Sequence, residues 1–105
     1  MGKHRSRLRI LAKILSVVNE KNGAKKTQIM YQAYLSYKLL INYLDDLKKA
    51  DLVELDSNES YLLTRKGLDF LQLFEEYSQS YKMIKLQLND VENKKLVLEK
   101  MCPIS

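Results

Sequence analysis

Thr64 to Met101 reads TRKGLDFLQLFEEYSQSYKMIKLQLNDVENKKLVLEKM, and the unbroken helical pattern in it decides the fold. No Pro falls inside it, and its only Gly, Gly67, sits in the first turn. Alternate steps of four and three residues from Phe70 reach Phe74, Tyr77, Tyr81, Ile84, Leu88, Val91, Lys95, Leu98 and Cys102. Lys95 alone breaks this apolar seam, whose period is that of a coiled coil. At a rise of about 1.5 Å per residue the helix is roughly 55 Å long, whereas a compact globule of this chain length has a radius of gyration of only about 13 Å. The helix is therefore expected to protrude and to need a cover for its stripe. A second copy of the same helix is the simplest one, with Phe74, Tyr77, Tyr81, Ile84, Leu88, Val91 and Leu98 as the dimerisation residues. A helix that breaks near Ser78 to Ser80 and folds back is the alternative, and the continuous register through Tyr77, Tyr81 and Ile84 opposes it. Charges leave the strand direction open: a parallel pair sets Lys94 near Glu99, an antiparallel pair Lys85 near Glu92.

The whole chain has 105 residues, 46% of them hydrophobic, with seven Tyr and a formal charge of +5. That suits one small domain, residues 1–70, followed by the dimerisation helix, residues 71–105. The charge is uneven. Residues 1–38 carry nine basic side chains (Lys3, Arg5, Arg7, Arg9, Lys13, Lys21, Lys25, Lys26, Lys38) against the single acid Glu20, whereas residues 71–105 balance five Lys with five acids. A polyanionic partner is thus expected at the N-terminal part, not at the long helix. No apolar run reaches the roughly 18 to 20 residues of a membrane span, and the basic N-terminus lacks the apolar core of a signal peptide. No membrane association is expected, and a cytoplasmic location follows. The one Cys, Cys102, rules out an internal disulfide framework and reads as an ordinary thiol.

Met1 to Arg7 is a basic arm, for which a solvated tail and a phosphate-touching arm through Arg5 and Arg7 both fit. From there Leu8, Leu11, Ile14, Leu15 and Val18 fall at helical spacing, and Asn22-Gly23 stops that helix. Ala24 to Lys26 forms a short extended segment. Thr27 is expected to cap a brief helix with Ile29, Met30 and Ala33, ending near Ala33-Tyr34. Ser36 opens a longer helix that buries Leu40, Leu44 and Leu47, which makes the pair a helix-turn-helix. Leu52 to Leu55 and Tyr61 to Leu63 pair as a hairpin around Asp56-Ser57-Asn58-Glu59-Ser60. Thr64 then caps the long helix, with Leu68, Leu71 and Leu73 expected toward the domain core. This order makes a mainly α winged helix-turn-helix with a small β-hairpin wing and a long C-terminal helix.

An enzyme is not expected. His4 is the only histidine, and the doublets Asp45-Asp46 and Glu75-Glu76 place neighbouring carboxylates about 100° apart around a helix, unsuited to paired acid/base work. No metal site or cofactor is expected, and no glycine-rich phosphate loop is present. Tyr37, Lys38, Ile41 and Asn42 face away from Leu40, Leu44 and Leu47. On such a helix Lys38 reaches a guanine edge or a phosphate, and Asn42 pairs with adenine. Lys25, Lys26, Thr27 and Gln28 lead into the second helix, whose N-terminal amides and dipole suit a phosphate. Ser36 and Tyr37 complete the candidate DNA-binding set, with Tyr37 ranked above Tyr31 for a hydroxyl contact.

GAKKTQIMYQAYLSYKLL (residues 23–40), ADLVE (50–54) and YLLTRKG (61–67) together resemble the archaeal winged-helix DNA-binding proteins of the small ten-a chromatin type. The resemblance covers nearly the whole chain. It implies an antiparallel coiled-coil homodimer with a DNA-binding head at each end, nucleoid-associated, with double-stranded DNA and a second copy of itself as partners. Antiparallel pairing rests on the resemblance alone. The chain departs from the family at the wing, where Asp-Ser-Asn-Glu-Ser replaces the usual basic residues and repels phosphate, and at Tyr34, where Asn is common. The expected function is a homodimeric double-stranded DNA-binding protein of chromatin or architectural type. A sequence-specific transcription regulator and a protein-interaction module dimerised by the coiled coil are the alternatives.

Overall fold

The structure is a computed structural model and describes residues 6–103, so the expectation for Arg5 lies outside the described residues. Its elements are α1 (Arg7–Glu20), α2 (Lys26–Ala33), α3 (Tyr37–Lys49), β1 (Val53–Leu55), β2 (Tyr61–Leu63) and α4 (Arg65–Met101). The chain divides into two compact units, Met1–Phe74 and Glu75–Ser105. Among the described residues no helix is long and apolar enough to cross a membrane.

In the first unit α1 starts at Ser6, whose Oγ accepts a hydrogen bond from the Arg9 amide at 3.1 Å and so satisfies one of the free donors of the first turn. Its buried residues are Ile10, Ala12, Ile14, Leu15, Val17 and Val18. That stripe is wider than the sequence spacing suggested, because α1 packs on both α2 and β2. Leu8 falls off its edge and is 39% exposed.

Three helices end in the same way, each on a residue other than glycine. Asn22, Tyr34 and Asp51 adopt φ of 51°, 57° and 63°, and the amide after each reaches back to a carbonyl five residues earlier. These bonds are Gly23 N to Val18 O (3.1 Å), Leu35 N to Met30 O (3.1 Å) and Leu52 N to Leu47 O (2.9 Å). The pattern is the Schellman closure, which satisfies the last free carbonyls. The closure after α2 also turns Leu35 into the core and brings Ser36 to the head of α3, where its Oγ accepts from the Leu39 amide at 3.3 Å. With α3 so fixed, Leu40, Leu44 and Leu47 are fully buried beside Ile14, Leu15 and Ile29.

β1 and β2 pair antiparallel with Val53 opposite Leu63 and Leu55 opposite Tyr61. Ala24 adds a bridge on the far side of β2, exchanging hydrogen bonds with Tyr61 at 3.0 and 2.8 Å. The extended segment before α2 thereby ties the helix-turn-helix to the hairpin. Thr64 Oγ1 then accepts from the Gly67 amide at 3.0 Å and donates to the Asp51 carbonyl at 2.6 Å. Gly67 faces the Leu52 carbonyl so closely that a Cβ there would overlap it. Phe70 and Leu71 pack against the core from the same side of α4. Leu68 and Leu73 do not join that core, contrary to expectation: Leu68 is 43% exposed at the edge of a hollow it shares with Val18 and Leu62, and Leu73 is 67% exposed.

In the second unit the helix continues through Ser78–Ser80 without a break to Met101. Tyr77, Tyr81, Ile84, Leu88, Val91 and Leu98 are all exposed, Ile84 at 64% and Leu98 at 66%. Tyr77 and Tyr81 lie with ring centroids 6.2 Å apart. Phe74, the first residue of the expected seam, is half-buried and belongs to the first unit. Met83, Leu86 and Val97 are exposed as well and fall on the other side of the helix at 100° per residue. Cys102 is an exposed free thiol.

Candidate nucleic-acid interface

The outward face of α3 follows from its buried one. At 100° per residue, Lys38, Asn42, Asp45 and Lys49 lie opposite Leu40, Leu44 and Leu47, and all four are exposed. Tyr37 flanks them at 57% exposure, while Ile41 is half-buried. Ser36 is committed to its cap, so its oxygen serves the fold first.

The two acids of α3, which burden this face, each have a cation. Asp45 pairs with Lys49 at 2.9 Å, one helical turn on, and Asp46 pairs with Arg7 at 2.9 Å. The hydrogen bond that Lys49 donates to Asp45 first, and the Asp45 charge second, raise the Lys49 pKa above the ordinary lysine value. Arg7 also lies over the Tyr43 ring, 5.7 Å from its centroid, a cation–π arrangement. This candidate phosphate contact is therefore an internal tie between α1 and α3. Its sequence signal was only its charge, because the partner lies 39 residues away.

Around the start of α2 one expectation needs correction. Lys25, not Thr27, occupies the N-cap, and Thr27 lies within the first turn. The Gln28 Oε1 reaches back to accept from the Lys25 amide at 2.9 Å, half of a capping box, and sets the boundary there. A lysine has no acceptor to return to the first-turn amides. The N-terminus of α2 thus lacks a side-chain cap and carries two ammonium groups beside it, an arrangement suited to an anion.

The fold brings the start of α2 and the start of α3 together. Lys25, Lys26 and Thr27 share an open cleft of about 360 Å³ with Tyr37, and its remaining lining comes from Leu55 and Glu59 of the wing. Four candidate residues from two stretches of sequence, 25–27 and 37, thus meet at one place. Lys38 and Asn42 continue from it along α3. Tyr31 and Tyr34 are both well exposed on the same helix-turn-helix. Among the described residues no group of three or more His, Cys, Asp or Glu is placed to hold a metal ion.

A helix-turn-helix followed by a two-stranded wing defines a class of protein, and the chain belongs to it: a winged helix-turn-helix family model matches residues 4–82. No curated protein matches the chain. Among solved structures it is similar to Sso10a-2, a DNA-binding protein from Sulfolobus solfataricus, at 23% identity over 96% of this chain and 100% of that one, with a TM-score of 0.62. It is also similar to the reduced form of MarR from Escherichia coli, at 18% identity over 89% and 72% of the two chains and a TM-score of 0.64. A Mycobacterium tuberculosis MarR family protein, Rv2887, in complex with DNA matches at 17% identity over 88% and 74%, with a TM-score of 0.65. At these identities the likeness is one of fold.

Proposed function

We propose that this protein binds double-stranded DNA as a homodimer, in the manner of an architectural or chromatin protein, inside the cytoplasm and associated with the nucleoid. The observation that carries the reading is the meeting of Lys25, Lys26 and Thr27 with Tyr37 in one cleft, from which Lys38 and Asn42 lead along α3. Phosphate is the ligand that the helix side of this cleft fits, because ammonium groups, an uncapped helix N-terminus and a tyrosine hydroxyl all donate there; the Glu59 carboxylate on the wing side is the opposing charge. Base reading falls to Lys38 and Asn42, which face outward from α3. The DNA-binding proteins and regulators among the structural relatives support binding rather than catalysis as the protein's activity.

Dimerisation rests on the second unit. A row of six large apolar side chains at heptad spacing, exposed along a helix, favours association with a like surface. The seam supplies the pairing, and the resemblance to the ten-a proteins supplies its antiparallel direction. A dedicated transcription regulator is the second reading, favoured by the exposure of Asn42 on the outward face of α3. Binding of the full chain to a random duplex and to selected sites decides between the two. Equal affinities support the architectural reading, and a gap of several hundredfold supports the regulator. Sedimentation equilibrium of the same sample reads the dimer.

A further inference from the structure

We infer that Glu59 is an electrostatic brake on the DNA interface, set into the cleft by the wing so that the phosphate contact at Lys25 and Lys26 stays weak and exchangeable. This rests on the DNA-binding reading of that cleft. The wing loop takes its shape from Asp56, not from Glu59. Asp56 Oδ1 accepts from the amides of Asn58 (2.8 Å) and Ser60 (2.9 Å), and the Asp56 amide donates to the Ser60 carbonyl at 2.9 Å. Glu59 contributes only its backbone amide, which donates to the Asp56 carbonyl at 3.1 Å. Its φ of 60° lies in the left-handed region, where Gly or Asn serves a turn with less strain. Neither the hydrogen bonding nor the conformation of the loop therefore explains a glutamate here.

What the side chain does have is a position. Glu59 and Leu55 form the wing side of the cleft whose other lining is Lys25, Lys26, Thr27 and Tyr37. Among the described residues its carboxylate makes no ion pair, although Lys25 and Lys26 line the same cleft. A phosphate held by the two lysines would share a cleft of about 360 Å³ with a carboxylate, a space that a screening length of about 10 Å at 0.1 M salt spans. Like charges at such a distance oppose each other, and the opposition grows as salt falls. Glu54, one strand position from Leu55, carries the same charge but borders a different hollow, with Val18, Asn19, Gly23 and Leu62. It provides an internal control for net charge.

The test measures duplex affinity of the 105-residue chain and three variants, Glu59→Gln, Glu59→Lys and Glu54→Gln, from low to moderate salt, with circular dichroism as the check on folding. Glu59→Gln is expected to tighten binding about threefold to tenfold at low salt, on random and selected duplexes alike, with the gain shrinking as salt rises. Glu59→Lys is expected to add a phosphate contact and steepen the slope of log affinity against log salt by about 0.9. Glu54→Gln should move affinity less than about twofold. If the wild type binds and Glu59→Gln leaves its affinity unchanged, or Glu54→Gln gains as much, the brake is overturned while the DNA-binding reading stands. Absence of binding by the wild type and every variant overturns both.

Discussion

Arg7 and Asp46 join the first residue of α1 to the outer flank of α3 by a 2.9 Å hydrogen-bonded ion pair. The pair removes a negative charge from the helix that would enter a DNA groove, and it uses an arginine that would otherwise be free to reach phosphate. Both side chains are about half exposed, so solvent screens the attraction. Replacing Asp46 by Asn should change stability by less than about 1 kcal/mol. It should also release Arg7 and tighten duplex binding at low salt. Denaturant titration and DNA binding on one sample measure the two effects, and a large loss of stability without gain in affinity would assign the pair to the fold alone.

Tyr34 holds φ 57° at the end of α2 in a position that Asn and Asp fill at the ends of α1 and α3. An L-residue in that conformation costs about 1 kcal/mol or more, less for Asn and least for Gly. The tyrosine ring is 83% exposed, so little apolar surface is buried there to offset that cost. Tyr34→Asn should therefore raise unfolding free energy by about 0.5 to 1 kcal/mol. Urea denaturation checks it, with loss of stability as the contrary result.

Gly67 reverses the usual sign of a helical Gly→Ala change. Such a change ordinarily stabilises by about 0.5 to 1 kcal/mol. Here a Cβ would overlap the Leu52 carbonyl oxygen and approach the Leu63 side chain at 3.1 Å. A backbone carbonyl cannot swing aside as a side chain does, so Gly67→Ala should destabilise by about 1 to 3 kcal/mol. A higher thermal midpoint for the variant would show that α4 is not seated as described.

The fold was largely legible in the sequence because its signals were local. Leu40, Leu44 and Leu47 at helical spacing after Ser36 gave α3 and its buried face, and a turn-rich stretch between two short apolar runs gave the wing. The start of α2 was less legible, since a lysine is not a capping residue and the boundary comes from Gln28 reaching backward. The early turns of α4 fit a core period and a seam period at once, so spacing alone does not separate Phe70 and Leu71, which pack on the core, from Leu68 and Leu73, which do not. The candidate site was legible as residues and not as a place. Lys25 to Thr27 stood out by charge and Tyr37 by its cap, but only the tertiary fold sets them around one cleft with Glu59, and the tie between Arg7 and Asp46 spans 39 residues of sequence.

Ile84 and Leu88 lie on the exposed seam one turn apart. Replacing both by Asp places like charges at the proposed dimer seam, where burial without a partner is strongly unfavourable. The full chain should then scatter light as a monomer while keeping its helical circular dichroism. An unchanged dimer mass would put the association surface elsewhere, with Met83, Leu86 and Val97 the next to test.

If Lys25 and Lys26 hold the DNA backbone, the salt dependence of duplex binding reports it. The wild type should bind at low salt with log affinity falling linearly in log salt. Lys25→Ala/Lys26→Ala should weaken every duplex alike and flatten that slope by about 0.9 for each phosphate no longer held. Asn42→Ala should leave the slope unchanged and cost about 1 to 3 kcal/mol on a selected site only. No binding at low salt, or a double variant with the slope and affinity of the wild type, would show that these lysines do not hold DNA.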